Sequence, residues 1–190
     1  MCSEATGRNE AGTTFGPEDF REPIEFLYGM HERLRRQCEN LVQLAKDPAA
    51  AEVPEIAAAI LDFLETDLPL HRADEEEDLF PLLERRSPVP ETGAHDELLS
   101  SLAVLRQEHR DDIEQGHSLF ASLRLIAEGE APRDPEMFRH YVHAFVKLQR
   151  GHQALENRVV LTAAFERLTP EDLAELGRKM AARRGLLFAG

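Results

Sequence analysis

Four histidines of this chain fall near the middle of four separate stretches of helical periodicity, each on the apolar face of its stretch. They are His31, His71, His109 and His152. Two of them are followed four residues later by a glutamate, in His71-Arg72-Ala73-Asp74-Glu75 and His152-Gln153-Ala154-Leu155-Glu156. Residues four apart share one face of a helix and lie about 6 Å apart along its axis. Each pair can therefore direct an imidazole and a carboxylate to one metal ion or to a pair of metal ions.

A carboxylate on a core-facing position needs a positive partner. Burying an ionised glutamate without a cation is costly, and the apolar faces carry no Lys or Arg near the level of Glu75 and Glu156. One or two dications would supply that charge. Imidazole nitrogen and carboxylate oxygen, with no thiolate, form a ligand set that suits iron, manganese or zinc.

In an antiparallel bundle the middles of all four helices meet at one level, and bundle cores hold carboxylate-bridged pairs of metals. Two histidines for each metal, with the two glutamates bridging, leave positions for a small ligand such as dioxygen, nitric oxide or peroxide. The sequence therefore predicts a two-metal site with the ligands His31, His71, Glu75, His109, His152 and Glu156.

The ordinary interpretation of one histidine on an apolar face is a hydrogen-bonded core or boundary residue. A single His-x-x-x-Glu is also frequent on solvated helices, and Glu75 has acidic neighbours, namely Asp74, Glu76, Glu77 and Asp78. Four central histidines on four helices, two of them with this spacing to a glutamate, favour the metal site.

The other histidines and the cysteines do not fit this geometry. His117 lies eight residues past His109, about 12 Å further along the axis, and we expect it on the surface with His95, His140 and His143. Cys38 is expected in the core. Cys2 receives no role.

Four long helices and a short fifth helix are predicted to position these residues. Their expected bounds run from Pro17 to Asp47, from Pro54 to a break at Ser87-Pro88, from His95 to Glu128, from Pro135 after an N-cap at Asp134, and from Pro170 after an N-cap at Thr169. Pro69 should kink the second helix about one turn before His71. The predicted fold is all-α, an antiparallel up-down-up-down four-helix bundle with a short C-terminal helix.

The domain organisation follows from these elements. We expect a disordered N-terminal tail over residues 1–16, the bundle over 17–167, and the short C-terminal helix and tail over 168–190. The late apolar residues Leu186, Leu187 and Phe188 could pack onto the bundle or onto a second copy, so we expect a monomer or a homodimer.

The composition limits the classes of partner. With 190 residues and a formal net charge of −14, the chain is an unsuitable partner for nucleic acid or for an anionic membrane surface. No apolar stretch is long enough to span a bilayer. Two cysteines make a disulfide framework improbable, and the first residues have no signal-peptide pattern, so we expect a cytoplasmic protein.

The motifs resemble the hemerythrin-like (HHE cation-binding) family. Asp67-Leu68-Pro69-Leu70-His71, followed by Glu75-Glu76 and Leu79-Phe80-Pro81, is similar to the signature of that family's second helix. The first, third and fourth helices are represented by Met30-His31-Glu32, by Glu108-His109 and by His152 to Glu156. The resemblance covers about residues 20–165.

The resemblance implies a di-iron centre with an oxo or hydroxo bridge, with zinc or manganese as possible substitutes. Glu75 and Glu156 would be its bridging carboxylates and the four histidines its terminal ligands. The chain departs from the oxygen-carrying hemerythrins, which have a histidine where Ile113 stands and an aspartate where Asn157 stands. It is closer to bacterial relatives linked to nitric oxide, peroxide or iron handling, and to iron-sensing domains.

Three functions follow from such a centre. The first is a binding or sensing module for dioxygen, nitric oxide or peroxide. The second is a redox enzyme for catalase-like peroxide breakdown, nitric oxide reduction or repair of iron centres. The third is an iron or zinc handling protein, or a site that only stabilises the fold.

Two further residues lie close to the predicted ligands. Tyr28 and Gln149, one turn before His31 and His152, are candidate pocket groups or ordinary boundary residues.

Overall fold

The fold is almost entirely helical. The computed structural model describes residues 7–8, 14–48, 50, 52–87 and 97–186. Eight α-helices are found in the described part of the chain: α1 Pro23–Lys46, α2 Val53–Glu65, α3 Asp67–Ala73, α4 Phe80–Arg86, α5 Glu97–Ala127, α6 Pro135–Leu155, α7 Leu161–Arg167 and α8 Pro170–Arg183. Two π-helical segments, Asp74–Leu79 and Glu156–Val160, interrupt this series. The predicted all-α class is confirmed.

Helices α1, α2, α5 and α6 surround one core. Helix α1 packs against α2 and α6, and α5 packs against the same two helices, so neighbours in sequence are neighbours in space. The core is formed by leucines, phenylalanines and other apolar residues, among them Leu27, Leu34, Leu41, Leu64, Phe80, Leu102 and Phe138. The alternating up-and-down direction of the helices stays a prediction.

Several helix ends follow the capping signals of the sequence. The Asp134 side chain accepts a hydrogen bond from the Met137 backbone N–H at the start of α6. The Thr169 side chain accepts from the backbone N–H of Asp172 at the start of α8. Both N-caps were expected, because a short polar side chain satisfies a backbone donor that has no partner within the helix.

The first helix begins later than predicted. Residues Pro17–Phe20 form a single turn of 3-10 helix, and α1 begins only at Pro23. Proline fits the first turn of a helix because its missing N–H needs no partner there. The sequence offers this signal at both Pro17 and Pro23, and the structure begins a separate helical segment at each.

The predicted second helix is divided into four segments. It breaks at Thr66 between α2 and α3, because Pro69 has no N–H to donate to the carbonyl four residues earlier, at Glu65. It then widens to π-helix over Asp74–Leu79 before α4, which contains Pro81. The kink near Pro69 was expected, and the π-helical segment was not.

The ends of the chain lie partly outside the described residues. Within the expected tail, Gly7–Arg8 pairs with Thr14–Phe15 as a two-residue antiparallel ladder. The Phe15 ring packs edge-on against Phe26, at 5.1 Å between ring centroids. Leu186 is buried, while Leu187 and Phe188 lie outside the described residues. The domain boundaries stay predictions.

Helix α8 is part of the packed fold. It lies against α1, the 3-10 turn and the first π-helical segment. Gly177 permits this close approach, because a side chain there would collide with the backbone carbonyl of Phe20. Within the described residues, no helix is both long and apolar enough to cross a membrane.

Candidate metal centre

The structure brings all six predicted ligand residues together in the middle of the bundle. None of them exposes more than 7% of its surface. They come from each of the main helical regions: His31 from α1, His71 from α3, Glu75 from the first π-helical segment, His109 from α5, His152 from α6 and Glu156 from the second π-helical segment.

The first half-site is defined here as His31 and His71 with the facing oxygens of Glu75 and Glu156. Oε1 of Glu75 lies 3.2 Å from Nε2 of His71 and 3.7 Å from Nε2 of His31. Oε2 of Glu156 lies 3.2 Å from Nε2 of His31. The ligand atoms of these four residues all lie within 4.8 Å of one another, so one metal ion could contact all of them.

The second half-site comprises His109 and His152 with the opposite oxygens of the same glutamates. Nε2 of His109 lies 3.5 Å from Oε2 of Glu75, and Nε2 of His152 lies 3.1 Å from Oε1 of Glu156. The two Nε2 atoms lie 2.9 Å apart. The four ligand atoms again lie within 4.8 Å of one another.

Each carboxylate therefore lies between the two half-sites and presents one oxygen to each. This arrangement is what a bridging carboxylate requires. Two adjacent cations, each with two imidazoles and a share of both carboxylates, match the donors that are present.

Both glutamates stand in π-helical segments. The carbonyl of Glu75 accepts from the N–H of Phe80, and the carbonyl of Glu156 accepts from the N–H of Leu161, in each case five residues later. Such bulges are rare and are often found at functional sites. Each bulge widens the helix at the glutamate that lies between the half-sites.

Three of the four histidines have a hydrogen-bond partner on the ring nitrogen that faces away from the centre. Nδ1–H of His31 donates to the side-chain carbonyl of Asn157 at 2.6 Å. Nδ1–H of His109 donates to Glu76 at 2.6 Å, and Nδ1–H of His152 donates to Glu108 at 2.9 Å. Such partners fix the tautomer that leaves Nε2 free to bind a metal.

Several polar atoms of the centre are buried without hydrogen bonds. Among the described residues, Oε2 of Glu75, both carboxylate oxygens of Glu156 and Nε2 of His31 are buried and find no hydrogen-bond partner. Buried polar groups are normally satisfied. Because these atoms all face the two half-sites, a pair of cations fits the site that the residues form.

The pKa values reflect the crowding of like and unlike charges. Burial and the negative charge of Glu156 raise the pKa of Glu75 to about 8. Burial opposes the charge on His31 and His152, but the carboxylates of Glu156 and Glu75 raise their pKa to about 10 and about 9. Burial and the nearby His152 lower the pKa of His109 to about 4. The two carboxylates therefore favour positive charge at the centre.

A cation near the centre was missed in the sequence. Arg72, adjacent to His71 in the chain, forms an ion pair with the buried Asp112, which also accepts a hydrogen bond from Gln149 at 2.9 Å. No Lys or Arg was expected on the apolar faces at this level, and the long Arg72 side chain reaches the interior from the edge of its helix instead. Gln149 is buried, as a candidate pocket group should be, and Tyr28 is half-buried.

The other residues considered for the centre lie elsewhere. His117, His140 and His143 are exposed, as expected, and His95 lies outside the described residues. Cys38 is buried in the core as a free thiol.

Comparison with known proteins agrees with the resemblance of the motifs. The family model of the hemerythrin HHE cation-binding domain matches residues 22–164, a range that includes all six residues of the centre. The chain is also 31% identical over 176 residues to an uncharacterised protein of Haemophilus influenzae, covering 88% of this chain and 95% of the relative. The chain belongs to the hemerythrin HHE cation-binding domain family.

Proposed function

We propose that this protein holds a non-haem di-iron centre and uses it to bind or sense a small ligand such as dioxygen, nitric oxide or hydrogen peroxide. The observation that carries the proposal is the position of Glu75 and Glu156. Each directs one oxygen to the His31 and His71 side and the other to the His109 and His152 side. A site for a single ion would not need two carboxylates shared in this way.

The donor set supports iron. Nitrogen and oxygen ligands without thiolate suit iron, whereas structural zinc sites are usually closed and rich in cysteine. An iron pair would supply the positions and the redox chemistry that such small ligands need. The protein contributes four imidazoles, two carboxylates and a buried setting from which water is largely excluded.

A redox enzyme is the second candidate, and a cavity near the centre favours it. The cavity has a volume of about 310 Å³, lies between α5 and α6, and is lined in part by Asp112 and Tyr141. Because Asp112 pairs with Arg72, which follows His71 in the chain, this cavity lies beside the polar network next to the centre. A substrate such as peroxide could approach by this side.

The first experiment is metal analysis of protein purified from iron-supplemented cells, together with its optical spectrum. Two irons per chain with oxo-bridge charge-transfer bands in the near ultraviolet would support the di-iron proposal. Zinc, or less than one iron per chain, would refute it and favour the iron or zinc handling alternative.

The iron-loaded protein then separates the binding module from the enzyme. Stoichiometric binding of nitric oxide or peroxide without turnover supports binding or sensing. Sustained peroxide breakdown or nitric oxide reduction, abolished by chelation of the iron, would assign the protein to the enzyme class.

The partners and the compartment are also proposed. A formal net charge of −14 supports a small ligand as the partner, with neither nucleic acid nor membrane, and either a monomer or a homodimer. The buried free thiol of Cys38 is compatible with the reducing cytoplasm.

A further inference from the structure

The two half-sites have the same ligands but different surroundings. On the first half-site, Nδ1 of His31 meets the neutral amide of Asn157, and the buried Nδ1 of His71 has no hydrogen-bond partner in the part of the chain that the structure describes. On the second half-site, Nδ1 of His109 and Nδ1 of His152 both meet carboxylates, those of Glu76 and Glu108.

From this difference we infer that the two half-sites bind divalent metal with unequal affinity, and that Glu76 and Glu108 make the second half-site the tighter one. The inference rests on the proposed two-metal centre and assigns the order in which it is filled. Glu76 and Glu108 are positioning residues, since they act on the metal through the two histidines.

The physical reason is the charge behind each imidazole. An imidazole that donates its N–H to a carboxylate is a stronger electron donor at the other nitrogen, and the nearby negative charge also attracts the cation. A neutral amide fixes the ring but contributes no charge. Removal of such outer partners typically reduces metal affinity by about 10–100-fold.

Both carboxylates lie at the boundary between the centre and solvent. The side chains of Glu76 and Glu108 are 37% and 29% exposed, so water can stabilise their charge while they hold the histidines. Their hydrogen bonds run between helical elements. Glu76 of the first π-helical segment binds His109 of α5, and Glu108 of α5 binds His152 of α6.

The positive charge of Arg72 also lies near the second half-site. The Arg72 guanidinium acts against positive charge at His109. It forms an ion pair with the buried carboxylate of Asp112, which offsets part of its charge. What distinguishes the half-sites is the pair of carboxylates, Glu76 and Glu108, behind the second and the neutral amide of Asn157 behind the first.

The test is anaerobic calorimetric titration of the metal-free full-length protein with Fe(II), repeated with Zn(II) as a redox-silent ion. The native protein should bind two ions in two separate steps. The double variant E76Q/E108Q keeps hydrogen-bond acceptors but loses both charges, and it should weaken the tighter step by about tenfold or more while leaving the weaker step unchanged.

A second variant tests the same inference in the opposite direction. N157D places a carboxylate behind His31, so it should strengthen the weaker step and bring the two steps together. The matched control E97Q/E136Q removes the same charge from exposed ion pairs with Arg158 and Arg139, near the starts of α5 and α6, and should change neither step.

The outcomes separate this inference from the proposed function. Two ions bound in equal steps by the native protein, or a loss in E76Q/E108Q that is spread over both steps, would overturn the unequal half-sites alone. Failure of the native protein to bind two ions of either metal would overturn the two-metal centre, and this inference with it.

Discussion

Nη2 of Arg184 lies 2.7 Å from Oδ2 of Asp74, the residue that immediately precedes Glu75. Asp74 is fully buried, and Nη1 of Arg183 lies 2.5 Å from its other oxygen. The Arg184 guanidinium also lies over the ring of Phe26, at 4.9 Å from its centroid. The end of α8 is thereby tied to the π-helical segment that carries one carboxylate of the candidate centre.

Removal of the Arg184 side chain should destabilise the protein. Loss of one partner of a buried ion pair lowers the free energy of unfolding by about 3–5 kcal/mol. Because Arg183 still faces Asp74, we expect a decrease of about 2–3 kcal/mol for Arg184→Ala. For a chain of this size the midpoint of thermal unfolding should fall by about 5–10 °C. Calorimetry of the metal-free protein measures this change.

The control for this prediction lies on the same helix. Arg178 is exposed, and Arg178→Ala should change the free energy of unfolding by less than about 0.5 kcal/mol. An equal decrease of the free energy of unfolding in both variants would show that the net charge of α8, and not the pairing of Arg184 with Asp74, causes the destabilisation.

The role of α8 could not be predicted from the sequence. Its capping signals at Thr169 and Pro170 fixed where it begins, so its existence and start were correct. Its charges on Arg183 and Arg184 are ordinary for the end of a helix, where cations favour the macrodipole. No local sequence pattern indicates that these arginines pair with Asp74, which lies more than one hundred residues earlier in the chain.

The position of the candidate centre was predictable because it depends on helical periodicity. His31 and His152 are placed on core-facing positions by apolar neighbours three and four residues away, and such positions converge in any bundle. The spacing to Glu156 also follows from the helix repeat.

The details of the helix backbone were not predictable in the same way. A π-bulge changes one hydrogen bond and leaves the apolar pattern almost intact, so the bulge at Glu156 gives no signal in the sequence. The bulge at Glu75 has a partial signal in Pro81, which cannot donate to the carbonyl four residues before it. The hydrogen bonds of Glu76 and Glu108 depend on packing between helices, which only the structure provides.

Replacement of Glu75 should separate metal binding from stability. Glu75→Gln removes the charge of a carboxylate that lies between both half-sites, so the protein should lose the two-metal centre. Because burial and Glu156 disfavour the Glu75 charge, the metal-free variant should be at least as stable as the native protein at pH 9. Iron analysis and thermal unfolding measure the two effects, and two irons per chain in the variant would contradict the bridging role.

The polar network beside the centre should respond to loss of the Asp112 charge. Asp112→Asn would remove the buried carboxylate that pairs with the Arg72 guanidinium, which should lower the free energy of unfolding by about 3 kcal/mol. The neighbouring Asp111 accepts an exposed hydrogen bond from Gln107, so Asp111→Asn is the matched control and should be nearly neutral. A neutral effect of Asp112→Asn on urea unfolding would argue against the ion pair.

Metal loading should release protons, because bound imidazoles and carboxylates must be deprotonated. In the metal-free protein the pKa values of His31 and His152 are raised to about 10 and about 9, and that of Glu75 to about 8. At pH 7 each of these three groups carries one proton that a bound metal ion must displace, so two ions should release up to three protons from them. The number should decrease as the pH rises through 8 and should approach zero above pH 10.

The same pKa values set the pH dependence of the metal-free fold. A group whose pKa is higher in the folded protein than in the unfolded chain contributes less stability as the pH rises between the two values. For His31 this window lies between 6.5 and about 10, and for Glu75 it lies between 4.5 and about 8, so both effects act in one direction. Metal-free protein should therefore lose stability from neutral to alkaline pH, while the apparent affinity for Zn(II) increases.

Proton release on metal loading can be measured with an indicator dye in weak buffer. The change in stability can be measured by urea unfolding of the metal-free protein at pH 7 and pH 9.5. Release of less than one proton at pH 7 would show that His31 and His152 are neutral in the metal-free protein.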